Sequence, residues 1–247
     1  MRTGNPTLND NTFKRLAHVE PSSQVMTLQG TVNKSILLLA LLLFPACWVW
    51  NQFFAGVDPA RIQMLLLLGV IGGLITALIT VFKKQWAGIT APVYAVLQGL
   101  VIGALSAIFE SQFPGIVIQA AGLTFGVLFA LLAAYKSGLI RVTENFRLGV
   151  VAATGAIALV YAANFILGFF GISMPFIHDS GPVGIAVSAV IVIVAALNLV
   201  LDFDFIEKGA ETQAPKYMEW YAAFGLMVTL IWLYIEMLRL LAKLRQR

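Results

Sequence analysis

The chain has 247 residues, 60% of them hydrophobic and only 11% charged, and its 16 basic and 12 acidic side chains give a formal charge of +4. Soluble domains carry roughly 25% charged residues, so this composition leaves too little polar surface to face water and argues against a soluble enzyme. The basic residues stand singly or in pairs between apolar runs, which suits anchoring at a membrane face and argues against nucleic acid as a partner.

In chain order, residues 1–34 come first and are polar, with Pro6, Asp10, Lys14, Arg15, Glu20 and Pro21. They read as a cytoplasmic tail. A cleavable signal is not expected, because the first apolar run begins only at Ser35 and outlasts the roughly 7–15 residues of a signal core. A helix crossing the bilayer core needs about 20 mostly apolar residues. Seven stretches in the transmembrane domain 35–247 meet that length: 35–57, 62–82, 85–109, 111–135, 148–170, 183–206 and 220–241. The first holds the only cysteine, Cys47, which reads as a small buried hydrophobe, with lipidation as the remote alternative. One cysteine can form neither an intrachain disulfide nor a cysteine metal site. Between the fifth and sixth spans, 171–182 carries Pro175, His178, Asp179, Gly181 and Pro182 and reads as a turn. In the seventh, Glu236 and Arg239 interrupt the second half, so a last segment that fails to cross is the alternative to seven spans. Barrel strands alternate polar and apolar residues, whereas 37–43 and 64–68 are apolar throughout. The fold class is therefore all-α, a seven-helix transmembrane bundle. Three glycine pairs four apart, Gly69/Gly73, Gly99/Gly103 and Gly122/Gly126, predict close helix approach.

Orientation follows the lysines and arginines. With the N-terminus cytoplasmic, Arg2, Lys14, Arg15, Lys34, Lys83, Lys84, Lys136, Arg141, Arg147, Lys208 and Lys216 lie inside, 11 of the 16 basic residues. Arg61, Arg239, Lys243, Arg245 and Arg247 fall outside, so the C-terminal cluster runs against the rule.

An ionisable side chain at the centre of a span costs about 2.5–3.5 kcal/mol on insertion scales, so acids retained there are candidates for function. The foremost group is Asp202, Asp204 and Glu207 at the inner end of the sixth span. At 100° per residue Asp202 and Asp204 point to different sides. Asp202, the deepest, faces the bundle, with Lys83 and Lys84 as its expected electrostatic partners. One reading is that these acids only end the helix among lipid headgroups. The other is a proton- or cation-responsive carboxylate. Low dielectric and a nearby lysine pull its titration in opposite directions, and their competition can bring it near physiological pH. Glu236 reads first as an intrahelical ion pair with Arg239, and Glu110 as an interfacial acid. Gln98, Asn164 and Asn198 are expected to make interhelical hydrogen bonds. His18 and His178 fall on opposite faces and cannot share a metal. No zinc-protease, serine-hydrolase or P-loop motif is present. The seventh span has no lysine before Lys243, which excludes a retinal Schiff base. No cofactor and no enzymatic reaction are expected.

Several stretches, in order, resemble one family. They are Asn5-Pro6-Thr7-Leu8 with Asn11-Thr12-Phe13, Met26-Thr27-Leu28, Ala91-Pro92-Val93-Tyr94-Ala95 through Gly99, Gly103 and Ser106 to Glu110, the sixth-span acids, and Leu233-Tyr234-Ile235-Glu236-Met237-Leu238-Arg239. Over nearly the whole chain these are similar to the Bax-inhibitor/YccA family, the transmembrane Bax-inhibitor-motif proteins, in its bacterial branch. The resemblance implies a seven-helix fold with the last helix central, wrapped by the other six. It also implies a multi-pass protein of a cell inner (plasma) membrane. For function it implies a pH-sensitive calcium leak with calcium and protons as ligands, or a non-conducting regulator of a membrane-anchored AAA protease of the FtsH type. In the leak mechanism a sixth-helix aspartate bonds a seventh-helix aspartate and a basic residue after the second helix. Asp202 matches the first position, and Lys83 or Lys84 the last. Calcium would engage Asp202 transiently, without a fixed site. The second aspartate is missing, since Thr229 stands at that position and Glu236 lies seven residues later, about 10 Å further along the helix. Thr229 can hydrogen-bond to Asp202 but cannot share a proton with it as a second acid would.

Overall fold

The computed structural model describes residues 25–171 and 181–246. Seven helices among them are long and apolar enough to cross a membrane. They are α1 (Leu28–Phe54), α2 (Pro59–Phe82), α3 (Ala87–Gln112), α4 (Ile116–Lys136), α5 (Glu144–Phe169), α6 (Pro182–Glu211) and α7 (Met218–Arg245). His18, most of the tail, and Pro175, His178 and Asp179 of the expected turn lie outside the described residues.

Local chemistry sets where each helix starts. The Thr27 hydroxyl accepts from Gly30 N at 3.0 Å, so α1 begins seven residues before the apolar run and takes Asn33 and Lys34 into the helix. Asp58 caps α2, followed by Pro59. Gly115 turns at φ 82°, and both Glu110 carboxylate oxygens serve the α4 start, accepting from Gly115 N at 2.5 Å and Val117 N at 3.1 Å. The acid expected at the interface is thus an N-terminal cap. The sixth helix runs to Glu211, so the acidic motif lies within it and does not end it. At 28 residues, α7 is about 42 Å long, more than the ~30 Å hydrocarbon core, so it is long and apolar enough to cross in full.

Helix α7 is central. It packs against α1, α3, α4 and α6 and contributes to both large apolar clusters, Met227 and Ile231 on the α1–α3 side and Leu233 and Leu238 on the α4–α6 side. The wrapping differs from the expectation at two helices: α2 packs on α3 and, more lightly, on α1, and α5 packs on α6. Two of the three glycine pairs explain the close packing. A Cβ on Gly103 would fall 2.5 Å from Ala46 O, and Gly99 sits directly against Leu42 O and Pro45, so α1 and α3 meet backbone to backbone. Gly69 does the same for α2 against Leu97 O and Val101 of α3, while Gly73 makes room for the Gln98 side chain. The third pair differs, since Gly122 and Gly126 face open space. Cys47, expected to be buried, is exposed, because α1 turns Leu42, Ala46 and Val49 inward instead.

Candidate functional site

In lipid a polar side chain must find its partners inside the protein, so the map of those partners defines the candidate site. Asp202 lies on α6 against the start of α7. Its Oδ1 is 3.9 Å from where a Cβ on Gly225 would stand, an ordinary contact distance, so the carboxyl lies beside α7 at this residue. Thr229, one turn further along α7, is the polar side chain that faces it, and its hydroxyl is also within reach of Gly225 O at 3.3 Å. The other carboxylate oxygen, Oδ2, is buried without a protein hydrogen-bond partner, alone in this among side-chain atoms of the described residues.

Asp204 points elsewhere. Its Oδ2 accepts from Arg147 Nη2 of α5 and from Lys208 Nζ, both at 2.7 Å. Glu207 accepts a hydrogen bond from the Tyr135 hydroxyl of α4. Lys83 and Lys84 form no ion pair with Asp202 among the described residues. Lys84 Nζ lies over the Tyr221 ring of α7 at 5.2 Å, while Lys83 is exposed. Tyr221 stands four residues before Gly225, one turn, so about 6 Å of helix rise separates the lysine's perch from the level of Asp202.

Glu236, 1% exposed, is paired with Arg239 at 3.2 Å. It also accepts from the Tyr161 hydroxyl of α5 at 2.8 Å, and that hydroxyl in turn accepts from Arg239 Nη1 at 2.8 Å. Asn198 donates to Thr154 Oγ1 of α5 at 2.8 Å. The sixth-span acids and Glu236 are therefore separate: Asp202 serves the α6–α7 seam, and Asp204 and Glu236 hold α5.

Two buried ions escape a reading of the chain. Glu219 is fully buried at the start of α7, with Lys34 on one oxygen, Lys216 at 2.9 Å on the other, and Thr27 donating through its N–H and its hydroxyl, each at 2.9 Å. Gly30 lies directly against that carboxylate. Lys243 is buried near the far end of α7 and donates to Gly184 O at 3.1 Å and Ser188 Oγ at 2.9 Å. Glu219 sits one residue before the apolar run and looks like a loop charge. The sole sequence hint is that Lys34 and Lys216 fall on the same predicted face.

Calcium takes about six to eight oxygen ligands, and the side-chain oxygens gathered beside Asp202 are its own and that of Thr229. Among the described residues no group of three or more histidines, cysteines or acids could hold a metal ion. Comparison with curated proteins finds no match. A family model described as Bax inhibitor 1 like matches residues 5–246. With that match over nearly the whole chain and seven membrane-crossing helices arranged around α7, the protein belongs to the Bax inhibitor 1-like family of polytopic membrane proteins.

Proposed function

We propose that the protein is a passive, pH-sensitive leak pathway for cations, calcium first among them, gated at Asp202. The observation that carries this reading is the Asp202 oxygen buried without a partner at the α6–α7 seam. Neighbouring acids are paired with lysine or arginine, or, for Glu207, accept a hydrogen bond from tyrosine. Binding of a proton or arrival of a cation therefore changes most at the one acid that lacks such partners. Thr229 takes the place of a second acid, so the gate works with a single carboxylate. Lys84, one α7 turn away on Tyr221, is the charge whose approach or retreat would bias it.

The same reading sets the N-terminus in the cytoplasm. The contacts Lys34–Glu219, Lys84–Tyr221 and Arg147–Asp204 gather the basic residues at one end of the bundle. At the other end, three of the basic residues are tied to protein acceptors: Arg239 to Glu236, Lys243 to Ser188, and Arg245 to Pro114 O at 2.7 Å. Lys83, Lys136 and Arg141 at the first end stay exposed, so the positive bias falls there.

The test is calcium flux into liposomes carrying the purified protein, measured across a pH series with wild type and Asp202→Asn. The expected result is a pH-dependent flux whose rate or pH response changes in the variant. Flux equal to protein-free liposomes at every pH would overturn conduction and favour the non-conducting regulator of a membrane protease. An unchanged pH profile in Asp202→Asn would remove that residue from the gate.

A further inference from the structure

Helices α1 and α4 do not pack closely against each other. Between them lies a crevice of about 450 Å³, within the range of ligand pockets. Its α1 wall is the helical stripe Leu39, Leu43, Cys47 and Trp50, its α4 wall includes Ala121 and Phe125, and α3 and α7 form the floor.

We propose that this crevice is a binding site for one acyl chain of a bilayer phospholipid, from the leaflet at the C-terminal end of α1. Depth and length identify the occupant. The α1 stripe runs from Leu39 to Asn51, about 18 Å of helix rise, close to one leaflet of a ~30 Å hydrocarbon core. It ends at Trp50 and Asn51, residue types that suit the headgroup level. The mouth opens sideways, with Leu43 55% and Phe125 41% exposed, into a solvent that is itself hydrocarbon.

Water is a poor alternative filling, because a buried water needs two to four polar partners. Polar groups of the floor and the α4 wall are already engaged: Ser106 and Tyr234 hydrogen-bond to each other at 2.7 Å, and Thr124 donates to Ala120 O at 2.7 Å. Collapse of the walls is blocked too. The Gly99 and Gly103 contacts lock α1 onto α3, while Ile116 and Ala120 hold α4 in the α6–α7 cluster. An empty slot would forfeit dispersion contacts along its whole lining. A seated chain restores them.

The experiment uses the full chain in phosphatidylethanolamine–phosphatidylglycerol vesicles containing a phospholipid with a diazirine in one acyl chain. After irradiation, adducts are mapped by mass spectrometry. Adducts should concentrate on Leu43, Cys47, Ala121 and Phe125, several-fold above the exposed α2 residues Leu74 and Ile75. Ala121→Phe, which fills the slot, should bring the crevice down to the α2 level. Cys47→Phe, at the exposed mouth, gives the same readout with less demand on folding. Equal labelling of crevice and α2 in the wild type would overturn the site, as would crevice adducts that persist in a folded Cys47→Phe protein. Efficient oxidative cross-linking of two copies through Cys47, the sole cysteine, with no crevice adducts, would also overturn it and assign the slot to a second chain.

Discussion

Tyr161 of α5 donates to Glu236 of α7 at 2.8 Å and accepts from Arg239 at the same distance. Seven residues earlier Thr154 accepts from Asn198, and seven earlier again Arg147 meets Asp204. Residues seven apart share a helix face, so one stripe of α5 carries three polar clasps. Apolar burial on this helix is slight, and a cavity of about 570 Å³ opens between it and α6. In lipid, where tails are as apolar as leucine, such hydrogen bonds and not hydrophobicity hold a helix to its bundle.

Loss of a clasp should therefore loosen α5 before anything else. Tyr161→Phe should lower stability in detergent micelles by about 1–2 kcal/mol, and Asn198→Leu by about 0.6–1.7 kcal/mol. Hydrogen exchange should quicken along α5 and stay unchanged in α3. Uniform acceleration across the bundle would refute the clasp reading.

The two aspartates of α6 should respond oppositely to the same change. Asp204→Asn weakens two charged contacts and should lower stability by about 1–3 kcal/mol, discounted because both cationic partners are partly exposed. Asp202→Asn breaks no ion pair and trades a carboxyl with an unpartnered oxygen for a neutral amide, so its effect should be neutral or stabilising by up to about 1 kcal/mol. Thermal unfolding of both variants tests this directly. A large loss in Asp202→Asn would mean that the carboxylate is structural.

The Glu219 node should be the most sensitive ionic contact. Glu219→Gln leaves Lys34 facing a neutral amide within the protein, and an expected loss of about 2–4 kcal/mol follows. Gly30→Ala should be damaging as well, by about 1–3 kcal/mol. The added methyl meets a carboxylate that four donors hold in place. If Gly30→Ala melts like wild type, the carboxylate is freer than this geometry implies.

The glycines separate by neighbour and not by motif. Gly103→Ala should push α1 from α3 and destabilise by about 1–3 kcal/mol. Gly126→Ala, with nothing within 4 Å, should be neutral or gain up to about 1 kcal/mol from helix propensity. Unfolding of the two single variants in the same detergent decides it.

Much of the fold was legible because membrane insertion is a local sum. About 20 residues of transfer free energy decide whether a segment crosses, and all of them lie in one window of the chain. Hence 62–82 and 183–206 correspond to α2 and α6, and Glu236–Arg239, three apart on one helix, could be anticipated. The Thr27 cap was harder to read, since it sits in a polar stretch that looks like tail.

What only the tertiary structure decided is which distant residues meet. Glu219 is buried because Thr27 and Lys34 reach it across 192 and 185 residues. Asp202 keeps one oxygen without a partner because the side chain that faces it from α7, Thr229, offers a single hydroxyl. The pattern of residues along the chain names the polar groups that lipid will not tolerate alone. Whether each finds company depends on the packing of helices far apart in sequence, and that is a property of the folded bundle.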